Sequence, residues 1–149
     1  MRTILQYAEQ MRRLTHRCMQ SLGEELDLSQ LEMELLLFLH NNPELNTARD
    51  AVAYRGFARS NVSTAVESLE KKGWLTVKPD AQSRRVKRLC LRTERREEIE
   101  RLSVRQNEII KVLTSDFTPE EEETLRVLLD RCGRNVTRAL EKMEGSCRA

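Results

Sequence analysis

Between Arg59 and Arg92 the chain reads R-S-N-V-S-T-A-V-E-S-L-E-K-K-G-W, then L-T-V-K-P, D-A-Q-S and R-R-V-K-R-L-C-L-R. No other stretch restricts the fold as much. Val62, Val66 and Leu69 recur at i, i+4 and i+7 with Ala65 beside them, which marks one apolar face of a helix. The opposite face carries Ser60, Ser63, Thr64, Glu67, Ser68 and Lys71, short polar groups that let another surface come close. Lys71 and Lys72 fill the last turn and Gly73 follows, an ordinary helix stop. The two extended runs around D-A-Q-S predict a β-hairpin. Its outer half is crowded with Lys78, Arg84, Arg85, Lys87 and Arg88.

Charge follows the same division. The net charge is only +2, but residues 49–92 hold 11 Lys/Arg against 4 Asp/Glu, a net of +7. Residues 1–48 have a net of −3 and residues 93–149 a net of −2. Nucleic acid is the commonest polyanion to meet such a patch. A solvated face is the alternative, and charge alone leaves it open. At 149 residues the chain is one compact unit or a small core with arms. With 34% charged and 4% aromatic residues, it fits a helical, multimeric protein better than a sandwich or barrel.

From the start of the chain, residues 2–22 predict a helix that Gly23 ends. Ile4, Tyr7, Ala8, Met11, Leu14, Cys18, Met19 and Leu22 form its apolar stripe. This segment alone leaves open whether the stripe packs within the chain or against a second subunit. Ser29 with Glu32 makes a capping box that opens a helix ended by Pro43, with Leu31, Leu35, Phe38 and Leu39 as core. Thr47 with Asp50 opens a short helix through Ala51, Val52 and Tyr54, and Gly56 supplies the turn into the helix from Arg59. A short helix, a tight turn and a helix with a small polar first turn have helix-turn-helix spacing. Joined to the basic hairpin, they outline a winged helix-turn-helix over residues 29–92.

A charge-dense helix is predicted over 94–114. A third capping box, Thr118 with Glu121, opens a last helix near Pro119 that runs to about 143. Its Leu125, Leu128, Leu129, Cys132, Val136, Ala139, Leu140 and Met143 share one face. That is more apolar surface than the middle lobe can cover. Symmetric dimerisation is the economical answer, and it would set two recognition helices one turn of DNA apart. The expected architecture is mainly α with a small β-hairpin: a single unit whose winged helix-turn-helix (29–92) is flanked by dimerisation helices (1–22 and 94–144).

Taken together, L-S-Q-L-E-M-E-L-L-L-F-L, S-N-V-S-T-A-V-E-S-L-E-K-K-G-W, P-D-A-Q-S-R-R-V-K-R-L-C-L-R and T-P-E-E-E-E-T-L-R-V-L-L resemble the MarR family of bacterial transcriptional regulators. The resemblance covers most of the chain. It implies a homodimer on a palindromic operator, acting as a repressor, with the helix from Arg59 in the major groove and the 79–85 turn at the minor groove. It also implies release by a signal, generally a small effector, often aromatic or anionic, held between the dimer helices and the lobe. Some relatives sense oxidants through a cysteine near the end of the first helix. Cys18 is similarly placed beside Arg17 and His16, which makes it the candidate redox sensor, although a cysteine in an apolar stripe more commonly belongs to the core. Two positions depart from the family pattern. Ser83 stands where an aspartate usually orders the wing around the arginine matching Arg85, so a looser tip is expected. Ala58 replaces a small polar cap, which leaves the helix start near Arg59 open by a residue or two.

Groove contact needs compact donors and acceptors, and Ser60, Asn61, Ser63 and Thr64 supply them. Arg59 is the candidate for a guanine edge or phosphate, and Lys71, Arg84, Arg85 and Lys87 complete the expected DNA-binding set. Glu67 is an awkward neighbour for a polyanion. Catalysis finds little support: two histidines stand apart, the five glycines are isolated, and no metal-ligand spacing or cofactor motif occurs. Scattered cysteines and the lack of a long apolar run predict a soluble, cytoplasmic protein without membrane association. The alternative is a winged-helix dimer that serves as a protein-interaction module and never binds DNA, which the +7 segment disfavours.

Overall fold

The structure, a computed structural model, describes residues 2–146. Its elements in order are α1 (Arg2–Leu26), α2 (Gln30–Asn41), α3 (Ala48–Arg55), α4 (Arg59–Lys71), β1 (Leu75–Pro79), β2 (Lys87–Leu91), a 3-10 turn (Thr93–Arg95), α5 (Arg96–Leu113) and α6 (Pro119–Ser146). The chain divides into two compact units, one through Ile109 and one from Ile110 onward. The architecture is the expected one, helices with one two-stranded antiparallel hairpin.

In the first unit the core gathers around α2. Met33 and all five residues from Leu35 to Leu39 are buried, so this helix is apolar on nearly every side and must be wrapped by others. Met19 and Leu22 of α1, Ala51 of α3, Val62, Ala65 and Leu69 of α4, Leu75 and Leu89 of the hairpin, and Ile99, Leu102 and Ile109 of α5 do so. Trp74, also buried, lies under the guanidinium of Arg95, 4.6 Å from its ring centroid. The hairpin pairs Leu75 with Leu91 and Val77 with Leu89. The two-residue period then puts Thr76, Cys90, Lys78 and Arg88 on the other face.

Helix boundaries follow the capping chemistry. Both boxes in this unit form: Ser29 with Glu32, and Thr47 with Asp50. Gly56 ends α3 at φ 68°, in the left-handed region. The first helix runs past Gly23 to Leu26, a correction to the sequence reading. There Asp27 takes φ 54°, and the Leu28 amide donates to the Gly23 carbonyl at 2.8 Å. Gly23 is small for a packing reason instead. A Cβ there would come within 2.8 Å of Met33 Cε, so the bare backbone lets α1 lie close against α2. The α1 stripe is split along its length. Ile4, Tyr7 and Ala8 are exposed, Met11, Leu14 and Cys18 half-buried, and Met19 and Leu22 buried.

The second unit contains α6. Thr118 and Glu121 form its reciprocal capping box, with Pro119 as first helical residue. Leu125 is half-buried, whereas Leu128, Leu129, Cys132, Val136, Ala139, Leu140 and Met143 are exposed. Cys147 lies outside the described residues.

Candidate nucleic-acid interface

Helix α4 turns Val62, Ala65 and Leu69 into the core and leaves two polar flanks. On the wing side, Ser63, Glu67 and Glu70 line a cleft of about 500 Å³ together with Arg84 and Lys87. On the α2 side, Asn61, Thr64, Ser68 and Lys72 line a groove of about 360 Å³ with Ser29, Leu31 and Glu32. Candidate residues from two elements are thus brought together at the wing cleft, while Asn61 and Thr64 belong to the opposite flank. Glu67 faces the cleft that Arg84 and Lys87 also line, which puts its charge beside cations.

The start of α4 is Arg59, as the sequence pattern has it. Ala58 occupies the cap with no side-chain hydrogen bond, so the amides of the first turn keep their donors free and carry the positive end of the helix dipole. Ser60, Asn61, Ser63 and Thr64 are exposed. The Thr64 hydroxyl donates to the Ser60 carbonyl at 3.1 Å, which fixes its rotamer and leaves its lone pairs outward.

The wing is held from a residue that the sequence pattern did not single out. Asp80 accepts from the amides of Gln82 and Ser83 through one oxygen, at 3.1 and 3.3 Å, and from Arg88 Nε at 2.9 Å through the other. These bonds, Arg88 foremost, hold its carboxyl below the ordinary carboxylate range. Arg88 continues to Asn46 Oδ1 at 2.9 Å, and the Leu89 amide donates to the Asn46 carbonyl at 2.7 Å. The turn with serine at 83 is therefore ordered from position 80. Pro79–Asp80 at the start of a turn was the local signal, since aspartate bonds the backbone two residues on. Nothing in the local sequence announces Asn46, forty-two residues from Arg88.

The cations of this segment divide by use. Arg88 is tied to Asp80, Lys72 to Glu32, and Arg55 to Glu34 at 3.6 Å. Among the described residues, Arg49, Arg59, Lys71, Lys78, Arg84, Arg85, Lys87 and Arg92 are exposed and make no ion pair. Except for Arg49, Lys78 and Arg92, each belongs to the set expected from the sequence. Lys72 does more than end a helix. Its Nζ lies 3.2 and 3.3 Å from the two oxygens of Glu32 and 2.6 Å from the Asp27 carbonyl. The Glu32 side chain is 5% exposed. Burial pushes its carboxyl up, but hydrogen bonds from Ser68, the Ser29 amide and Lys72, with the charge of Lys72, outweigh that and hold it low.

Cys18 stands elsewhere, on α1, packed against the core. His16 and Arg17 are exposed, while Arg105 Nη1 reaches the Cys18 carbonyl at 3.4 Å. Among the described residues no His/Cys/Asp/Glu cluster has the form of a metal site, and no helix is long and apolar enough to cross a membrane.

Residues 26–86 match the model of the MarR family. Over 119 residues the chain is 30% identical to the uncharacterised HTH-type transcriptional regulator YybA of Bacillus subtilis strain 168, spanning 79% of this chain and 78% of that one. Among solved structures, a MarR protein from Peptoclostridium difficile superposes with a TM-score of 0.80 at 21% identity, covering 94% of this chain and 91% of that one. A Staphylococcus aureus MepR mutant bound to an oligodeoxyribonucleotide superposes at 0.55 and 23% identity, covering 87% and 97%. At such identities the structural likeness speaks for the fold.

Proposed function

The chain belongs to the MarR family of transcriptional regulators, and on that premise we propose that it binds a palindromic operator as a homodimer and represses transcription there. The proposed release signal is a small molecule or an oxidant, and the proposed site of action is the cytoplasm. Arg59, Ser60, Asn61, Ser63, Thr64 and Lys71 of α4 read or brace the major groove, and Arg84, Arg85 and Lys87 of the wing meet the backbone and minor groove. The carrying observation is that these cations remain exposed and unpaired while Lys72 and Arg88 beside them are spent on internal contacts. The relative solved with an oligodeoxyribonucleotide supports the same reading.

Dimerisation through residues 1–22 and 94–144 is supported by the exposed apolar groups of α1 and α6, among them Ile4 at 71%, Leu129 at 58% and Val136 at 59%. Burying a side chain of this size contributes about 1.5–3 kcal/mol, so several such groups provide a substantial drive toward a second copy. The half-buried packing of Cys18 favours a small-molecule signal over an oxidant one. Selection of bound duplexes from random DNA tests the reading, combined with light scattering. A palindromic motif and a mass near twice 17.4 kDa are expected. A dimer that selects no motif would favour the protein-interaction alternative, and a folded monomer at micromolar concentration would remove the homodimer.

A further inference from the structure

The C-terminal turn of α4 is fastened on both flanks, and one fastening is ionic, between a half-buried Lys72 and a buried Glu32. Lys72 Nζ sits where three chain segments meet: the Asp27 carbonyl after α1, the Glu32 carboxylate in the first turn of α2, and its own helix end. Glu32 already accepts from the Ser29 amide at 2.7 Å as part of the capping box, and Ser68, one turn before Lys72, lines the same groove. On the other flank Glu70 accepts from the Val77 amide at 3.2 Å. A buried ion pair adds little net stability, because desolvation offsets the attraction. Its better-attested use is to favour one arrangement over near neighbours.

We infer that Glu32 and Lys72 are positioning residues for operator recognition, their pair fixing the pose of α4 so that Asn61 and Thr64 meet base edges in register. The inference rests on the reading of α4 as the recognition helix. Asn61, Thr64, Ser68, Lys72 and Glu32 line one continuous groove, so the anchor and the reading residues share a flank of the helix. From Lys72 back to Asn61 the axis rises by about 16 Å at ~1.5 Å per residue. A tilt of about 5° at the anchor therefore moves the reading groups by roughly 1.4 Å, a looseness that a recognition site does not tolerate.

The signs of the competing explanations differ. Glu32→Gln keeps the capping acceptor, since glutamine also serves in a capping box, and removes only the charge. A direct electrostatic role for Lys72 on DNA predicts tighter binding to every duplex. A purely stabilising role predicts a lower melting temperature with unchanged affinity at 25 °C. The positioning role predicts that affinity for the duplex selected by the parent protein falls about tenfold, roughly what weakening one base contact costs. Affinity for a scrambled duplex of equal length should stay within about twofold, as expected for phosphate contacts left intact.

Lys72→Met should lower the same ratio, and the double variant should be no worse than the poorer single one, the non-additivity of a coupled pair. Circular dichroism checks the fold of each variant. Should Lys72→Met not fold, Glu32→Gln decides together with Lys72→Arg, which should retain the selectivity. Tighter or unchanged binding by Glu32→Gln overturns the inference while leaving α4 as the reading helix. A parent protein that selects no duplex removes the DNA reading and the inference with it.

Discussion

The winged lobe and α6 both carry leucine-rich helix faces, and these meet opposite fates. In the lobe, Leu35, Leu36 and Leu69 are 0% exposed. On α6 the residues at equivalent helical spacing stay open, Leu128 at 49%, Leu140 at 51% and Met143 at 69%. Helix α1 shows both behaviours, open at Ile4 and Tyr7 and closed at Met19 and Leu22. Apolar periodicity thus says which face of a helix seeks cover and not what covers it. The lobe closes its core within one chain, around an α2 that is apolar on nearly every side. The α6 face has the composition of a core with one side absent, and the proposed homodimer supplies that side.

The largest effect expected from this contrast comes from removing residues 119–149. The proposed dimer interface then loses its C-terminal helix, and aggregated or unfolded chain should result, read by light scattering and circular dichroism. A soluble, folded monomer would break the comparison. Point substitutions sharpen it. Leu69→Ala should destabilise by about 2–5 kcal/mol, as for other buried leucines, with the concentration dependence of the urea midpoint left as in the parent. Leu129→Ser should act mainly on association, so its midpoint should fall on dilution through the micromolar range.

Smaller effects separate α4 from the wing. Asn61→Ala or Thr64→Ala should cost on the order of 1–3 kcal/mol for each base-reading bond removed and relax preference at particular operator positions. Arg85→Ala should weaken binding to all sequences and make the salt dependence shallower by roughly one phosphate contact per subunit. Equal behaviour of the two variants in gel-shift titrations would erase the distinction between reading and bracing residues.

The smallest effect is acid sensitivity. Glu32 is held below its ordinary value of 4.5 in the folded chain, so its contribution is complete above that value and fades as pH falls through the folded one. Urea stability of the parent should drop more than that of Glu32→Gln between about pH 6 and about pH 3.

Much of the lobe was legible because its signals are local. Its two capping boxes, the i, i+4, i+7 spacing in α4 and the turn between two β-rich runs each act within a few residues. The exposure of Arg59, Arg84 and Arg85 was legible for the same reason, because an unpaired surface arginine depends on no distant partner. What escaped was set by contacts across the chain. Gly23 looked like a helix stop, but Met33 decides its role. Lys72 looked like helix-end charge until Glu32, forty residues earlier, came within 3.2 Å. The wing seemed loosened by Ser83, yet Asp80, Arg88 and Asn46 hold it. A capping role for Glu32 was visible, and that explanation hid its burial.

In the proposed dimer a winged lobe, its core closed within one chain with the help of α1 and α5, is presented twice to DNA by helices that keep open apolar faces. Hydroxyl-radical footprinting of the parent protein on its selected duplex tests both halves at once. Two protected half-sites related by a dyad, about one helical turn of ~10 bp apart, are the predicted result. A single unpaired half-site, or no protection at concentrations where the protein is folded, would contradict it.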